Sequence, residues 1–291
     1  YIMTLKDIIQ NSRPIISELS IRTYLSNLRK VGINDEDDIP KLTKAYDIIE
    51  QIKNLKTTMQ MNVLSAVLVI VKAMDMPNEI YNKYREALFK ITKTYNAELS
   101  ENKKTLTQEQ NWVTIAELKK VTKQLLKGGV TQNALIAALY TYQPPVRLDY
   151  YDMKIVGPKN KLEGKQNFLV VYNRSRKVFV FRDFKTANKY NEVKVPVSKQ
   201  LNTVINKFLK AHPDREYLLE KKRTAQPLTR NALGKIIPQV FESTGKTVSL
   251  NILRHVYISE SIDIDQIKAQ QKLAKQMLHD PETQQQYAKV D

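Results

Sequence analysis

Apolar residues recur every three or four positions through the first hundred residues, which is the spacing of one face of a helix. Gly32 and an acidic stretch at 35–40, which we interpret as a turn, interrupt this pattern. The segments predicted as helices are 5–9, 15–28, 42–55, 61–74 and 78–99. The apolar part of 61–74 is too short to span a bilayer, so we expect a buried helix there and no membrane association. The pattern predicts a bundle of four or five helices without strands.

Residues 100–110 are polar, charged and without periodicity, which is typical of a linker. Beyond them, helical spacing returns at 115–126 and at 131–142. We therefore predict two domains, a helical domain over 1–99 and a second domain over 111–291, joined by the linker 100–110.

The spacing changes in the middle of the second domain. Three runs are rich in β-branched and aromatic residues, at 168–172, 178–181 and 193–197. They predict a three-stranded antiparallel sheet, with 183–191 as the turn between the second and third strands. Helical patterns resume at Ser198. The predicted fold class is mainly α with a small antiparallel β-sheet (α+β).

Positive charge is concentrated in the second domain. The 291 residues carry 47 Lys and Arg against 30 Asp and Glu, a net charge of +17. Residues 1–100 hold 14 basic and 12 acidic residues, a net of +2, so residues 101–291 hold the remaining 33 and 18, a net of +15. An excess of this kind favours a polyanionic partner, most often nucleic acid, over a merely solubilising surface.

Cysteine is absent from the sequence, which excludes disulfides and thiolate metal sites. The histidines, His212, His255 and His279, lack the i, i+4 spacing of a helical metal pair. We predict neither a metal nor a cofactor.

Five residues whose side chains could take part in catalysis occur in the second domain, in the order Arg147, Lys185, Arg254, His279 and Tyr287. Arg147 comes after Pro144-Pro145, and Lys185 lies in the turn predicted between the second and third strands. Tyr287 follows His279 by eight residues and falls about two turns into a helix that Asp280-Pro281 is predicted to begin.

This order of residues resembles the tyrosine recombinase (integrase) superfamily, and most of all the integrases of viruses and mobile elements. The resemblance covers roughly the last 180 residues. It implies a C-shaped clamp around duplex DNA, in which 1–99 is a helical, core-type DNA-binding domain and 111–291 is the catalytic domain. It also implies site-specific cleavage and rejoining of DNA through a covalent 3′-phosphotyrosyl intermediate, a reaction that requires no metal. The reaction would serve the integration or excision of a viral or mobile genome.

The resemblance assigns a role to each catalytic candidate. Tyr287 would be the nucleophile, and Arg147 and Arg254 would stabilise charge on the phosphate, a task that suits the planar, permanently charged guanidinium. Lys185 would protonate the leaving oxygen, and His279 would donate to the phosphate or handle the tyrosine proton. Lys189, the substitute for Lys185, and Arg182 are further candidates for DNA contact. Asp149 is expected to orient an arginine.

One position departs from the family pattern. The usual motif is His-x-x-Arg, and Asn251 occupies the place of that histidine. Asparagine can hydrogen-bond a phosphate oxygen but cannot shuttle a proton. His255, next to Arg254, is expected to be a buried hydrogen-bonding residue. Two alternatives stay open: a type IB DNA topoisomerase, which usually has Lys-x-x-Arg, and a DNA-binding protein that has lost catalysis.

The expected partners are double-stranded DNA and further copies of the chain. Only four residues follow Tyr287, too few for another helix that could dock on a neighbouring subunit. Like charge opposes self-association until phosphates neutralise it. We therefore expect a monomer without DNA and a dimer or tetramer on paired DNA sites. The expected location is intracellular, wherever the DNA is: host nucleus, cytoplasm or virion.

Overall fold

The computed structural model describes residues 3–278 and Asp280. The chain divides into two compact units, Tyr1–Lys103 and Lys104–Asp291, called here the N-terminal unit and the C-terminal unit. Together their elements make an α+β fold that is mainly helical, with a small sheet, which confirms the predicted fold class. Among the described residues, no helix is both long and apolar enough to cross a membrane.

The N-terminal unit is helical throughout its described part. Its elements are α1 (Leu5–Ser12), α2 (Glu18–Arg29), a 3-10 helix (Glu36–Thr43), α3 (Ala45–Ile52), α4 (Thr57–Ala73) and α5 (Asn78–Ser100). Helix α4 lies at the centre, because its residues from Val63 to Val71 are mostly buried. Tyr84 of α5 is also buried and donates its hydroxyl to the carbonyl oxygen of Leu42 at 2.9 Å. The predicted buried helix is thus the core of this unit.

The sequence predicts a turn for the acidic stretch at 35–40, and this prediction is wrong. Most of the stretch forms the first part of the 3-10 helix Glu36–Thr43. Ile39 and Leu42, three residues apart, are both buried. A 3-10 helix has three residues per turn, so this spacing places both side chains on one face. The acidic side chains that surround them obscured this short apolar face in the sequence.

The C-terminal unit contains two sheets and a shell of helices. Its described elements are α6 (Leu106–Asn111), α7 (Ile115–Lys127), α8 (Gln132–Thr141), β1 (Lys154–Val156), β2 (Phe168–Val171), β3 (Lys177–Phe181), α9 (Ala187–Tyr190), β4 (Val193–Pro196), α10 (Lys199–Ala211), β5 (Glu220–Lys221), β6 (Thr224–Pro227), α11 (Arg230–Val240), a 3-10 helix (Glu242–Thr244), α12 (Leu250–Ser261) and α13 (Ile264–Gln276). Helix α8 is buried from Ala134 to Thr141 and packs against α7, α10 and α11. It forms the centre of this unit.

Helix α6 occupies the second half of the segment that the sequence predicts as an aperiodic linker. Thr105 and Gln108 form a capping box, in which each side chain binds the backbone N–H of the other. Such a box satisfies N–H groups that the first turn of a helix otherwise leaves unpaired, so even a six-residue polar segment can be helical.

The larger sheet has the order β1-β2-β3-β4. Strands β2, β3 and β4 pair antiparallel, as predicted. Strand β1 is an addition, and it pairs parallel with β2, so the sheet is mixed. Its three residues are too few to give a β pattern in the sequence. Hydrogen bonding from the Ile155 N–H to the Glu216 carbonyl at 2.8 Å and an ion pair between Lys154 and Glu216 hold its outer side.

The hairpin between β2 and β3 is fixed by a buried lysine. The Nζ of Lys177 donates to the Oδ1 atoms of Asn202 and Asn206 in α10, at 2.8 and 2.5 Å. It also donates to the carbonyl oxygens of Asn173 and Arg174 in the hairpin turn. Burial lowers the pKa of Lys177, and these four acceptors satisfy the charge. The hairpin is therefore tied to α10.

Candidate active site

Arg147 lies in the loop that follows α8, on a backbone anchored to the core. The hydroxyl of buried Tyr140 donates to the carbonyl oxygen of Arg147 at 3.0 Å. Three residues further on, the buried ring of Tyr150 packs edge-on against Tyr140 and Phe179. The Arg147 side chain itself is exposed. Its backbone is therefore held from the core while its guanidinium is available to a ligand.

Arg254 lies in the second turn of α12. Ser249 caps this helix by accepting the Ile252 N–H, and Leu253 and Ile252 are buried. Arg254 is half-buried and Asn251 is exposed. The two residues are three positions apart on a helix and therefore neighbours on its surface. Asn251 is accordingly placed one turn before Arg254, with its amide open to a ligand.

The buried carboxylate of Asp149 is influenced by the charges of three arginines. Asp149 is 5% exposed, and burial raises its pKa above the ordinary value. Arg230, Arg147 and Arg254 are near enough to oppose that shift. Side chains from the α8 loop, from the start of α11 and from α12 therefore share one electrostatic environment, although they are far apart in the sequence.

Lys185 lies in the turn between β3 and β4, at the edge of a groove of about 540 Å³. Lys165 and Arg182 also line this groove, together with Asp183 and Glu192. The side chains of Lys185 and Lys189 are exposed. The short helix α9 begins two residues after Lys185 and contains Lys189, so the predicted turn has helical structure of its own.

A buried asparagine connects the Arg147 loop with the Lys185 turn. Asn167, which is fully buried, donates from Nδ2 to the carbonyl oxygens of Asp149 and Asp183, at 2.9 and 3.0 Å. Its Oδ1 accepts the backbone N–H groups of Arg182 and Asp183, at 2.8 and 2.9 Å. This amide thus makes four hydrogen bonds, which is nearly its full capacity. Sequence reasoning missed it, because a single asparagine before a strand gives no signal of this role.

Arg230, the first residue of α11, is the second residue that the sequence did not reveal. Its Nη2 lies 2.9 Å from Asp183 Oδ2, and its Nη1 lies 3.7 Å from Asp149 Oδ1. The sequence does indicate a helix start here, since Thr229 is a capping residue. Nothing in the local sequence identifies the two carboxylates as its partners.

One expectation about a neighbouring residue needs correction. His255 is exposed, not buried as predicted, because it follows Arg254 on a part of α12 that faces away from buried Leu253. Arg182 is engaged within the unit: its Nε pairs with Glu192 at 2.6 Å, and its Nη1 donates to the Leu162 carbonyl oxygen at 2.7 Å. These contacts give Arg182 a structural role, and its predicted DNA contact stays a prediction.

His279 and Tyr287 lie outside the described residues, and so does the helix predicted to carry Tyr287. In the part of the chain that the structure describes, no group of three or more histidine, aspartate or glutamate side chains could hold a metal ion. The geometry available for the site is thus that of Arg147, Lys185, Asn251 and Arg254.

No family model matches the chain, and neither does any curated protein. Among solved structures, the chain is similar to the crystal structure of XerA recombinase, with 14% sequence identity and a TM-score of 0.38. The match covers 89% of this chain and 85% of that chain. A TM-score of this size carries no argument about function, so we rest the functional proposal on the side chains of the site.

Proposed function

We propose that the chain is a metal-independent DNA strand transferase of the tyrosine recombinase type. It would cleave and rejoin duplex DNA through a covalent 3′-phosphotyrosyl intermediate on Tyr287. The observation that carries the proposal is that Arg147 and Arg254 both act electrostatically on the buried carboxylate of Asp149 and lower its pKa against the effect of burial. Two arginines, in the order and local settings of the recombinase pattern, thus act on one buried carboxylate in a unit that carries most of the net positive charge.

The proposed roles follow from the chemistry of phosphoryl transfer. The Tyr287 oxygen attacks the phosphorus, and the bond from phosphorus to the 5′-oxygen breaks. Arg147 and Arg254 stabilise the negative charge that develops on the non-bridging oxygens. Lys185 protonates the departing 5′-oxygen, and His279 assists with the phosphate or the tyrosine proton. Asn251 offers its amide N–H to a phosphate oxygen. Attack by a 5′-hydroxyl reverses the sequence and reseals the strand, so no ATP is consumed.

The biological context is the finer part of the proposal. Integration or excision of a viral or mobile genome requires ordered pairing of two DNA sites, with copies of the chain assembled on them. The positive charge of the C-terminal unit opposes assembly of several copies until DNA phosphates neutralise it. Lys189 is exposed beside the groove and would contribute to affinity for the DNA backbone.

The decisive experiment is the capture of the covalent intermediate. The probe is a pool of nicked duplexes of randomised sequence, from which the short 5′-hydroxyl fragment diffuses away after cleavage. Incubation with a metal chelator, followed by denaturing electrophoresis, should give a protein–DNA adduct. DNA binding without any adduct would instead favour a protein that has lost catalysis. An adduct accompanied by relaxation of supercoils, without products that join two sites, would favour a type IB topoisomerase.

Lys185→Ala should cleave an ordinary phosphodiester about 100- to 1,000-fold more slowly, because the leaving 5′-oxygen would lose its proton donor. The same variant should recover most of the wild-type rate on a 5′-bridging phosphorothiolate, whose sulfur leaves without a proton. Lys189→Ala is the matched control, and we expect it to weaken binding without changing the ratio of the two rates. Equal losses on both substrates would reduce Lys185 to a phosphate-binding residue.

Asp149→Asn should keep or raise the Tm at neutral pH while slowing cleavage by about 100-fold, because the arginines lose the carboxylate that orients them. Burial raises the pKa of Asp149 in spite of the arginines. Ionisation of Asp149 therefore lowers the free energy of unfolding. This loss begins as the pH rises through the ordinary pKa of 3.8, and it is complete above the raised pKa of the folded state. The amide avoids this cost. Thermal denaturation across the acidic and neutral range tests the claim, and a lower Tm of the variant at neutral pH would contradict it.

A further inference from the structure

Arg230 is placed between the loop of Arg147 and the turn of Lys185. It is the first residue of α11, whose capping residue Thr229 accepts the N–H of Ala232. Its side chain is 41% exposed, and its guanidinium carbon lies 4.9 Å from the centre of the Tyr151 ring. A helix start that is capped and packed provides a fixed base for a long side chain.

The guanidinium of Arg230 contacts a carboxylate on each side. Nη2 donates to Asp183 Oδ2 at 2.9 Å, and Nη1 lies 3.7 Å from Asp149 Oδ1. The Tyr151 hydroxyl donates to the same Asp183 oxygen at 3.3 Å, so that carboxylate has two donors. Burial lowers the pKa of Arg230, but hydrogen bonding to Tyr151 and to Asp183 outweighs it and raises the pKa overall. The cation therefore persists at any working pH.

The two carboxylates that Arg230 contacts lie close in the sequence to Arg147 and Lys185. Asp149 is two residues after Arg147, and Asp183 is two residues before Lys185. Asn167 already joins the backbone of the two segments by hydrogen bonds, but on the side of Lys185 these hydrogen bonds reach no further than Asp183. Beyond Asp183 the turn is exposed at Lys185 and Thr186. The Asp183 side chain, which binds Arg230, and the Phe184 ring, which packs against the core, are thus the last anchored groups before Lys185.

We propose that Arg230 is a positioning residue, which holds the turn of Lys185 at a fixed distance from the loop of Arg147. The inference rests on the proposed function, in which Lys185 delivers a proton to the oxygen leaving the phosphate that Arg147 binds. Both Nη atoms of Arg230 already face carboxylates, so its role is to orient its neighbours rather than to bind phosphate. Small errors in such placement reduce rates strongly, because proton transfer requires hydrogen-bond distance.

The first test compares single-turnover cleavage of an ordinary phosphodiester and of a 5′-bridging phosphorothiolate. Arg230→Gln should slow the ordinary substrate about 10- to 100-fold and should approach the wild-type rate on the phosphorothiolate. Asp183→Asn should behave alike, and the double variant should be no slower than either single variant, because both residues act through one link. Arg176→Gln, which removes the same charge from the exposed β2–β3 hairpin, is the matched control and should leave the rate ratio unchanged.

The second test does not depend on DNA cleavage. In the DNA-free protein, the amides of Ala187, Lys189, Tyr190 and Asn191 are hydrogen-bonded in and around α9, and their hydrogen exchange should be about fivefold faster in Arg230→Gln. Exchange in α10 should be unchanged, and this also shows that the variant is folded. Arg230→Lys, which keeps the charge but not the fork, should give an intermediate value.

The two tests separate the inference from the function on which it rests. Absence of cleavage by the wild-type protein on both substrates would reject the proposed function, and hydrogen exchange would then decide alone whether Arg230 fixes the turn. Equal losses of rate on both substrates, or unchanged exchange at 187–191 in Arg230→Gln, would overturn the positioning role.

Discussion

Tyr287→Phe is expected to abolish the covalent protein–DNA adduct while leaving DNA affinity unchanged. The substitution removes one hydroxyl group and no charge. Affinity for DNA comes mainly from lysine and arginine contacts with phosphates, which the variant keeps. Cleavage, in contrast, has no nucleophile without the hydroxyl. Denaturing electrophoresis with a nicked substrate measures the adduct, and a binding titration at fixed salt measures the affinity.

The matched control for this variant is Tyr172→Phe, at an exposed tyrosine at the end of β2. It should form the adduct at the wild-type rate. If the adduct persisted in Tyr287→Phe, another residue would be the nucleophile, and peptide mapping of the adduct would identify it. A loss of both adduct and affinity in Tyr287→Phe would indicate damage to the fold, not loss of the nucleophile.

Local signals in the sequence predicted most of the helices and the antiparallel part of the sheet. Helix α7 begins where Thr114 and Glu117 form a capping box, and α12 begins directly after Ser249. Strands β2 and β3 are dense in β-branched and aromatic residues. In each case the residues that fix the boundary lie within a few positions of it, so a reading of the local sequence finds them.

The features that the sequence did not reveal depend on contacts between distant segments. Strand β1 exists because β2 pairs with one side of it and Glu216 binds the other. The burial of Lys177 requires two asparagines of α10. Asn167 acquires four partners only when the Arg147 loop and the end of β3 come together. No pattern near these residues in the chain contains that information.

The candidate site divides in the same way. The chemistry of Arg147, Lys185 and Arg254 could be inferred from their types and their order. The sequence also indicated that Asp149 would orient an arginine, but it did not reveal Arg230, because the partners of an ion pair are unknown until the chain is folded. The candidates for the reacting groups therefore came from the sequence, and the structure added the contacts of Arg230 and Asn167 beside them.

Arg147→Gln and Arg254→Gln should each slow cleavage at saturating DNA about 1,000-fold, since each removes a charged donor aimed at the phosphate in the transition state. Affinity should fall only severalfold, because many other basic residues contact the backbone. If the two arginines act on one phosphate, the double variant should be far less impaired than the product of the single losses. Single-turnover rates for the three variants test this expectation.

The control for the arginine variants is Arg174→Gln, at an exposed position in the β2–β3 hairpin, which should weaken binding without slowing the saturated rate.

A further consequence concerns Asp149, whose pKa Arg147 and Arg254 both hold down against burial. Removing either arginine should raise that pKa further. An ionised Asp149 then costs more folding free energy at neutral pH, so the Tm should fall there and recover as the pH is lowered towards the raised pKa. If the rate losses instead multiplied in the double variant, and Tm showed no such pH dependence, Arg147 and Arg254 would belong to separate sites.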